Sequence, residues 1–157
     1  MAEHVALYTL SGSSSSGQTV LDSIRSSDFI DEINSGEGPR EECGLYKLIQ
    51  LVQPSSAKFA SEKDVLEYHS KLIKGGEKAQ VDGQDAKWNA LCVLIADKDQ
   101  TDLVHVLELS KEGKVEQRLK AKARSSVEVA SNVSIANMSI QEYKDMCGNA
   151  DVYDAGQ

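Results

Sequence analysis

Aromatic residues are scarce in this 157-residue chain, at 5%; prolines number two, cysteines three, and long apolar runs are missing. Each shortage excludes something. Cys43, Cys92 and Cys147 are odd in number, widely spaced and without a CxxC pair, so neither a disulfide framework nor a zinc ribbon is expected. Reduced thiols in a cytoplasmic setting fit better. The longest apolar stretch, Ala90–Ala96, falls well short of the ~20 residues of a membrane helix. Val5–Leu10 is too short for the core of an export signal and has no basic stretch before it, so export is not expected. Net positive charge is also lacking: 17 Lys and Arg against 25 Asp and Glu leave −8. That argues against a general binder of nucleic acid or of anionic membrane, whose affinity draws on positive charge and counterion release.

What is present describes one domain over residues 1–157, with no internal repeat and no linker. A chain of this length buries roughly two thirds of its unfolded surface without staples or metals. His4–Leu10 alternates weakly, as a strand does, and residues 11–18 have the composition of a flexible Ser/Gly loop. Thr19 with Asp22 resembles a capping box, and the spacing of Val20, Leu21, Ile24, Ile30 and Ile33 predicts a helix over 19–33, stopped at Asn34-Ser35-Gly36. Residues 45–52 (LYKLIQLV) predict a strand. Ser61 and Asp64 cap a helix over 61–74, whose stripe is Val65, Leu66, His69, Leu72 and Ile73. A hydrophilic loop over 75–87 follows, then strands 88–96 and 103–109 around a turn at 97–102. Residues 127–135 have β character, Ser139 and Glu142 form a capping box for a helix through Cys147, and 148–157 is a C-terminal tail. The fold class expected is α+β: a mainly antiparallel sheet of four to six strands with about three helices.

No constellation reaches the specificity of a catalytic signature, so an enzyme is not expected, and neither a cofactor nor a metal site is indicated. Residues 12–19 (GSSSSGQT) fit the phosphate-binding loop GxxxxGK-Ser/Thr everywhere except the lysine, between a strand and a helix. Gly12, Gly17, Gln18 and Thr19 are therefore candidate phosphate-binding residues, with Asp97 as a possible counterpart on the magnesium side. Gln18 lacks the point charge that the lysine places on the terminal phosphates, and a serine tract is also what a plain loop looks like. Asp97, Asp99 and Asp102 begin somewhat like a calcium loop, but the position that needs glycine holds Asp102. A solvated hairpin turn is the simpler reading. His4, His69 and His105 are scattered, with no metal-ligand spacing.

The strongest local departure from composition is at 111–124 (KEGKVEQRLKAKAR), where six Lys and Arg face Glu112 and Glu116 for a local charge of +4. Such a cluster in an acidic chain marks a contact face for an anionic partner, or a protected edge strand, since Lys and Arg there suppress strand pairing. Val115, Gln117, Leu119, Ala121 and Ala123 alternate with charged residues, which favours a strand, while Leu, Lys, Arg and Ala favour a helix. The element succession, with EQRLKAKAR, NVSIAN and the tail CGNADVYDAG in the last third, resembles the actin-depolymerising factor homology fold, in its coactosin-like branch. The resemblance implies that the basic segment is a long helix touching actin, through Arg118, Lys120 and Lys122. Actin is acidic, so the charges suit it. The function expected is a non-enzymatic protein-interaction module that uses Lys114, Arg118, Lys120, Lys122 and Arg124 against an acidic protein surface, with actin as the implied partner. The alternatives are a phosphate or nucleotide binder built on 12–19, and a structural subunit of a larger assembly.

Overall fold

The computed structural model describes residues 3–14, 16–54, 58–148 and 150–155. Ser15 of the Ser/Gly loop, and Asn149, Gly156 and Gln157 of the tail, lie outside the described residues, as do Met1, Ala2 and Ser55–Ala57. Five strands form one sheet in the order β2-β1-β5-β6-β7. Strand β1 (Glu3–Tyr8) has Val5, Ala6, Leu7 and Tyr8 all fully buried, so it is apolar on both faces, as a central strand must be. It runs parallel to β2 (Ile49–Leu51) on one side and to β5 (Lys87–Ala96) on the other. Strands β5, β6 (Leu103–Leu109) and β7 (Val115–Lys122) then form an antiparallel meander.

The sheet is thus mixed, where a mainly antiparallel one was expected. Parallel neighbours need crossovers of a dozen residues or more, and both connections supply them. Between β1 and β2 lie α1 (Gly17–Arg25), α2 (Asp28–Asn34) and α3 (Gly44–Leu48), packed on the Val5/Leu7 face. Between β2 and β5 lie α4 (Glu62–Lys74) and a small hairpin, β3 (Gln80–Val81) with β4 (Gln84–Asp85). Helix α4 packs on the Ala6/Tyr8 face. The two crossovers move in opposite directions along the sheet and on opposite faces, which gives them the same hand. Helices α5 (Ser126–Ser134) and α6 (Ile140–Met146) complete the Val5/Leu7 side.

Six α-helices, not about three, are found among the described residues, and each difference has a local cause. Ser16, not Thr19, caps the first helix: its side chain accepts the Thr19 N–H. Ser27 caps a second helix two residues after the first ends, because its hydroxyl takes the Phe29 N–H, so the expected helix 19–33 is two helices. The expected strand 45–52 starts as a helical turn, Gly44–Leu48, and only its last part reaches the sheet. The β-branched run 127–135 is helical because Val127, Ala130, Val133 and Ser134 fall on one buried face. The rest follows the pattern in the residues. Ser61 and Ser139 cap α4 and α6, the latter with a full capping box to Glu142. No helix among the described residues is long and apolar enough to cross a membrane.

Candidate functional site

Two regions carry the residues singled out by the sequence. The first is β7, which forms a strand as the alternation predicts and not the helix that the family resemblance implies for this segment. Leu119 and Ala121 join the core under α5 and α6, so Arg118, Lys120 and Lys122 point to the opposite face, where α4 lies. A bulge opposite Glu108 and Leu109 inverts the alternation at the start of the strand, so Val115 packs on the α4 side with Leu107 and Leu109.

Three of the five basic candidates are matched to acids from distant segments. Arg118 pairs with Glu62 in the first turn of α4. Lys122 Nζ lies 2.8 Å from Asp102 Oδ2, and this contact holds the Asp102 carboxyl below its ordinary value. Arg124, beyond the strand in the turn Ala123–Ser125, meets Asp154 at 2.7 Å. Lys114, in the turn that precedes β7, and Lys120 have no ion pair with a described residue. The outer edge of β7 is partly closed by the tail: Tyr153 N–H donates to Lys120 O at 2.8 Å, and Lys122 N–H donates to Tyr153 O at 2.9 Å.

The second region is the loop after β1. Three of its backbone donors are directed at its own chain: Ser11 N–H to Phe59 O, Ser13 N–H to Leu10 O and Ser14 N–H to Lys98 O. A phosphate cradle needs such groups unspent. Gln18 donates to Asp22 one turn along α1, and Thr19 shares a hydrogen bond with Ser16 Oγ at 2.8 Å, so both side chains are already engaged within the chain. Gly17 is a packing glycine, since a Cβ there would lie 2.7 Å from Leu51 Cδ1. Asp97 is committed as well. Its Oδ1 meets His105 Nε2 at 2.8 Å and its Oδ2 accepts the Asp99 and Gln100 N–H groups, which closes the β5–β6 turn. Partial burial pushes this carboxyl up, but the hydrogen bonds from His105, Asp99 and Gln100 outweigh it and leave it below the usual range.

Of the four residues of the phosphate motif, only Gly12 lines a cavity at this end of the sheet, between the exits of β1 and β2. The cavity holds about 440 Å³ and is bounded also by Gln53, Lys58 and Phe59. Lys98, from the β5–β6 turn, lies against Gly12, its Cε 3.5 Å from where a Cβ would be. Lys58, Lys98 and Gln53 carry no motif spacing. They are brought together by the exits of three strands, and no signal along the chain marks them.

Other reactive groups are spent inside the fold. Tyr8 donates its hydroxyl proton to His69 Nδ1 at 2.7 Å, and His69 Nε2–H donates to Asn89 O at 2.9 Å. That carbonyl fixes the tautomer, and burial holds His69 below its ordinary value. Burial also pushes the Cys92 thiol far above its ordinary range, which makes it inert. Cys43, Cys92 and Cys147 are all free thiols. Among the described residues no group of three or more His, Cys, Asp or Glu could hold a metal ion. No family model matches the chain, and neither a curated protein nor a solved structure matches it.

Proposed function

We propose that this chain is a non-enzymatic protein-interaction module that meets an acidic protein surface through the α4 side of β7. The observation that carries this reading is the alternation of Arg118, Lys120 and Lys122 onto one face of an edge strand, with Lys114 at its base and Lys114 and Lys120 uncompensated. The internal pairs do not close the face to a partner. Surface pairs of this kind contribute at most about 1 kcal/mol, so a carboxylate on a partner exchanges with Glu62 or Asp102 at little cost. Complementary charge of this sort speeds encounter and fixes orientation more than it adds affinity, so binding should weaken with salt. Actin, the acidic partner suggested by the resemblance, is the first probe. A cytoplasmic setting, where free thiols stay reduced, belongs to the same proposal.

The test uses the double variant Lys114→Glu, Lys120→Glu, whose side chains have no ion pair with a described residue. Cosedimentation of the wild type with filamentous actin, lost in the variant while its circular dichroism is unchanged, is the expected result. Absence of wild-type cosedimentation removes actin as the partner, and equal binding by the variant removes the face.

A further inference from the structure

We infer that the cavity between the exits of β1 and β2 is a second binding site, for a small molecule that carries a phosphate on an apolar or aromatic body. This inference does not rest on the β7 reading, and it places the anion on residues other than those of the 12–19 motif.

Position is the first argument. After β1 the chain turns to α1 on one face of the sheet, and after β2 it turns to α4 on the other. Diverging connections leave the space above the strand ends unfilled, and in sheets with parallel strands this is where ligands bind. The volume, about 440 Å³, is in the range of small-molecule sites, and the walls are of the mixed kind that such sites have. Leu10, Val52 and Phe59 give an apolar side, while Gln53 and Lys58 give an amide and an ammonium.

Charge is the second argument. Lys58 lines the cavity and Lys98 reaches over Gly12 at its margin, its Nζ 3.9 Å from where a Gly12 Cβ would sit. Gly12 has φ +81°, a conformation that only glycine adopts without strain, and the lysine stem lies at ordinary contact distance from it. Neither lysine forms an ion pair with a described residue. Two ammonium groups beside a neutral, partly apolar cavity attract an anion. Because the Ser11, Ser13 and Ser14 N–H groups are bound to Phe59, Leu10 and Lys98 carbonyls, recognition rests chiefly on side-chain point charges. A lysine approaching from β5 thus takes the role that the motif assigns to the residue after Gly17, where the chain has Gln18.

The test is a titration of the full-length, ¹⁵N-labelled chain with AMP, inorganic phosphate and adenosine. AMP has both anion and body, phosphate only the anion, adenosine only the body. Expected are amide shifts at 9–14, 52–53, 58–59 and 98, with AMP binding more tightly than either fragment. Lys58→Met with Lys98→Met should weaken AMP binding by about 100-fold, as the loss of two charge-assisted contacts implies. Gln18→Ala, and the β7 variant above, should leave it unchanged. Absence of shifts at these amides with both AMP and phosphate overturns the proposal. So does AMP binding that survives in the double methionine variant, or that is lost in Gln18→Ala.

Discussion

In the parallel half of the sheet, β2-β1-β5, strands meet through long helical crossovers, whereas in the meander β5-β6-β7 they meet through short turns. The two halves therefore divide the work. Long crossovers bury β1 on both faces and leave the strand exits uncovered, which is where the cavity lies. Antiparallel pairing of β6 with β7 sets Lys122 beside Asp102, just before β6, so the basic stripe is partly neutralised from within the sheet. A cation cluster seen along a chain is thus no measure of uncompensated charge. The lysines without an ion pair to a described residue include Lys58 and Lys98, which stand far apart in sequence.

If the parallel half holds the fold, its core should be the more sensitive. Leu7→Ala in β1, at a site with 0% exposure and neighbours on both sides, should cost about 3–4 kcal/mol. Leu119→Ala in β7, at 5% exposure on an edge strand, should cost nearer 2 kcal/mol, because the edge relaxes into the space more readily. Urea denaturation of both variants measures the difference. An equal or larger loss at Leu119 would break the comparison.

The junction between the halves is a bulge in β5, and it supplies the next effect. Pairing with β1 jumps from His4↔Trp88 to Ala6↔Val93, so β5 spends extra residues there. Asn89 organises them. Its Oδ1 accepts the N–H groups of Leu91 and Cys92, both at 2.9 Å, while its Nδ2 donates to Ser134 O at 2.9 Å and to the Glu3 carboxylate. Asn89→Ala leaves those backbone donors unpaired in a buried site and should cost about 2–3 kcal/mol. Hydrogen exchange should quicken first at Leu91 and Cys92; unchanged protection there would show that the bulge holds without the side chain.

The two faces of β1 also differ, since the α4 face contains a buried histidine, His69, hydrogen-bonded to Tyr8. Burial, the larger influence, lowers the His69 value, against the smaller opposing effect of the hydrogen bond to Asn89 O. A histidine depressed in the folded state is protonated more readily when unfolded. Its contribution to stability is therefore complete above the unfolded value of about 6.5 and is lost as pH falls from there toward the lower folded value. The slope should reach at most about 1.4 kcal/mol per pH unit. His69→Gln should flatten the stability profile below pH ~6.5; an unaltered slope would assign it to other groups.

What the residues revealed in advance follows the same division. Most of the meander was legible: β5 and β6 run apolar around a polar turn, and neighbours along the chain are neighbours in space, while at β7 alternation favours a strand and residue propensities a helix. The parallel half was not. Its short strand β2 has only Ile49–Leu51, its register with β1 depends on contacts far apart in sequence, and Gly44–Leu48 has the same residue types as a strand. One local signal was missed. Asp82-Gly83, both with positive φ, is the turn of the β3–β4 hairpin within a stretch that looks merely hydrophilic. For the sites, the side chains on β7 could be assigned to a face from the alternation, but not their acid partners. The cavity and its two lysines exist only once three strand exits converge.

The smallest effect decides how the proposed binding face is to be tested. Arg124 pairs with Asp154, whose side chain is only 5% exposed, so Arg124→Ala removes an ion pair from a largely buried carboxylate, to which the Ser125 hydroxyl also donates. That should cost about 1–2 kcal/mol. Arg118 and Glu62 are 58% and 31% exposed, and for such a pair Arg118→Ala should cost no more than about 0.5 kcal/mol. A double-mutant cycle with Glu62→Gln measures the coupling directly. If it stays small, Arg118 is held by Glu62 only loosely and is free to turn to a partner, and any loss of binding in Arg118→Ala belongs to the interface. If it exceeds about 1 kcal/mol, Arg118 is a strut between α4 and β7, and the face available to a partner narrows to Lys114 and Lys120.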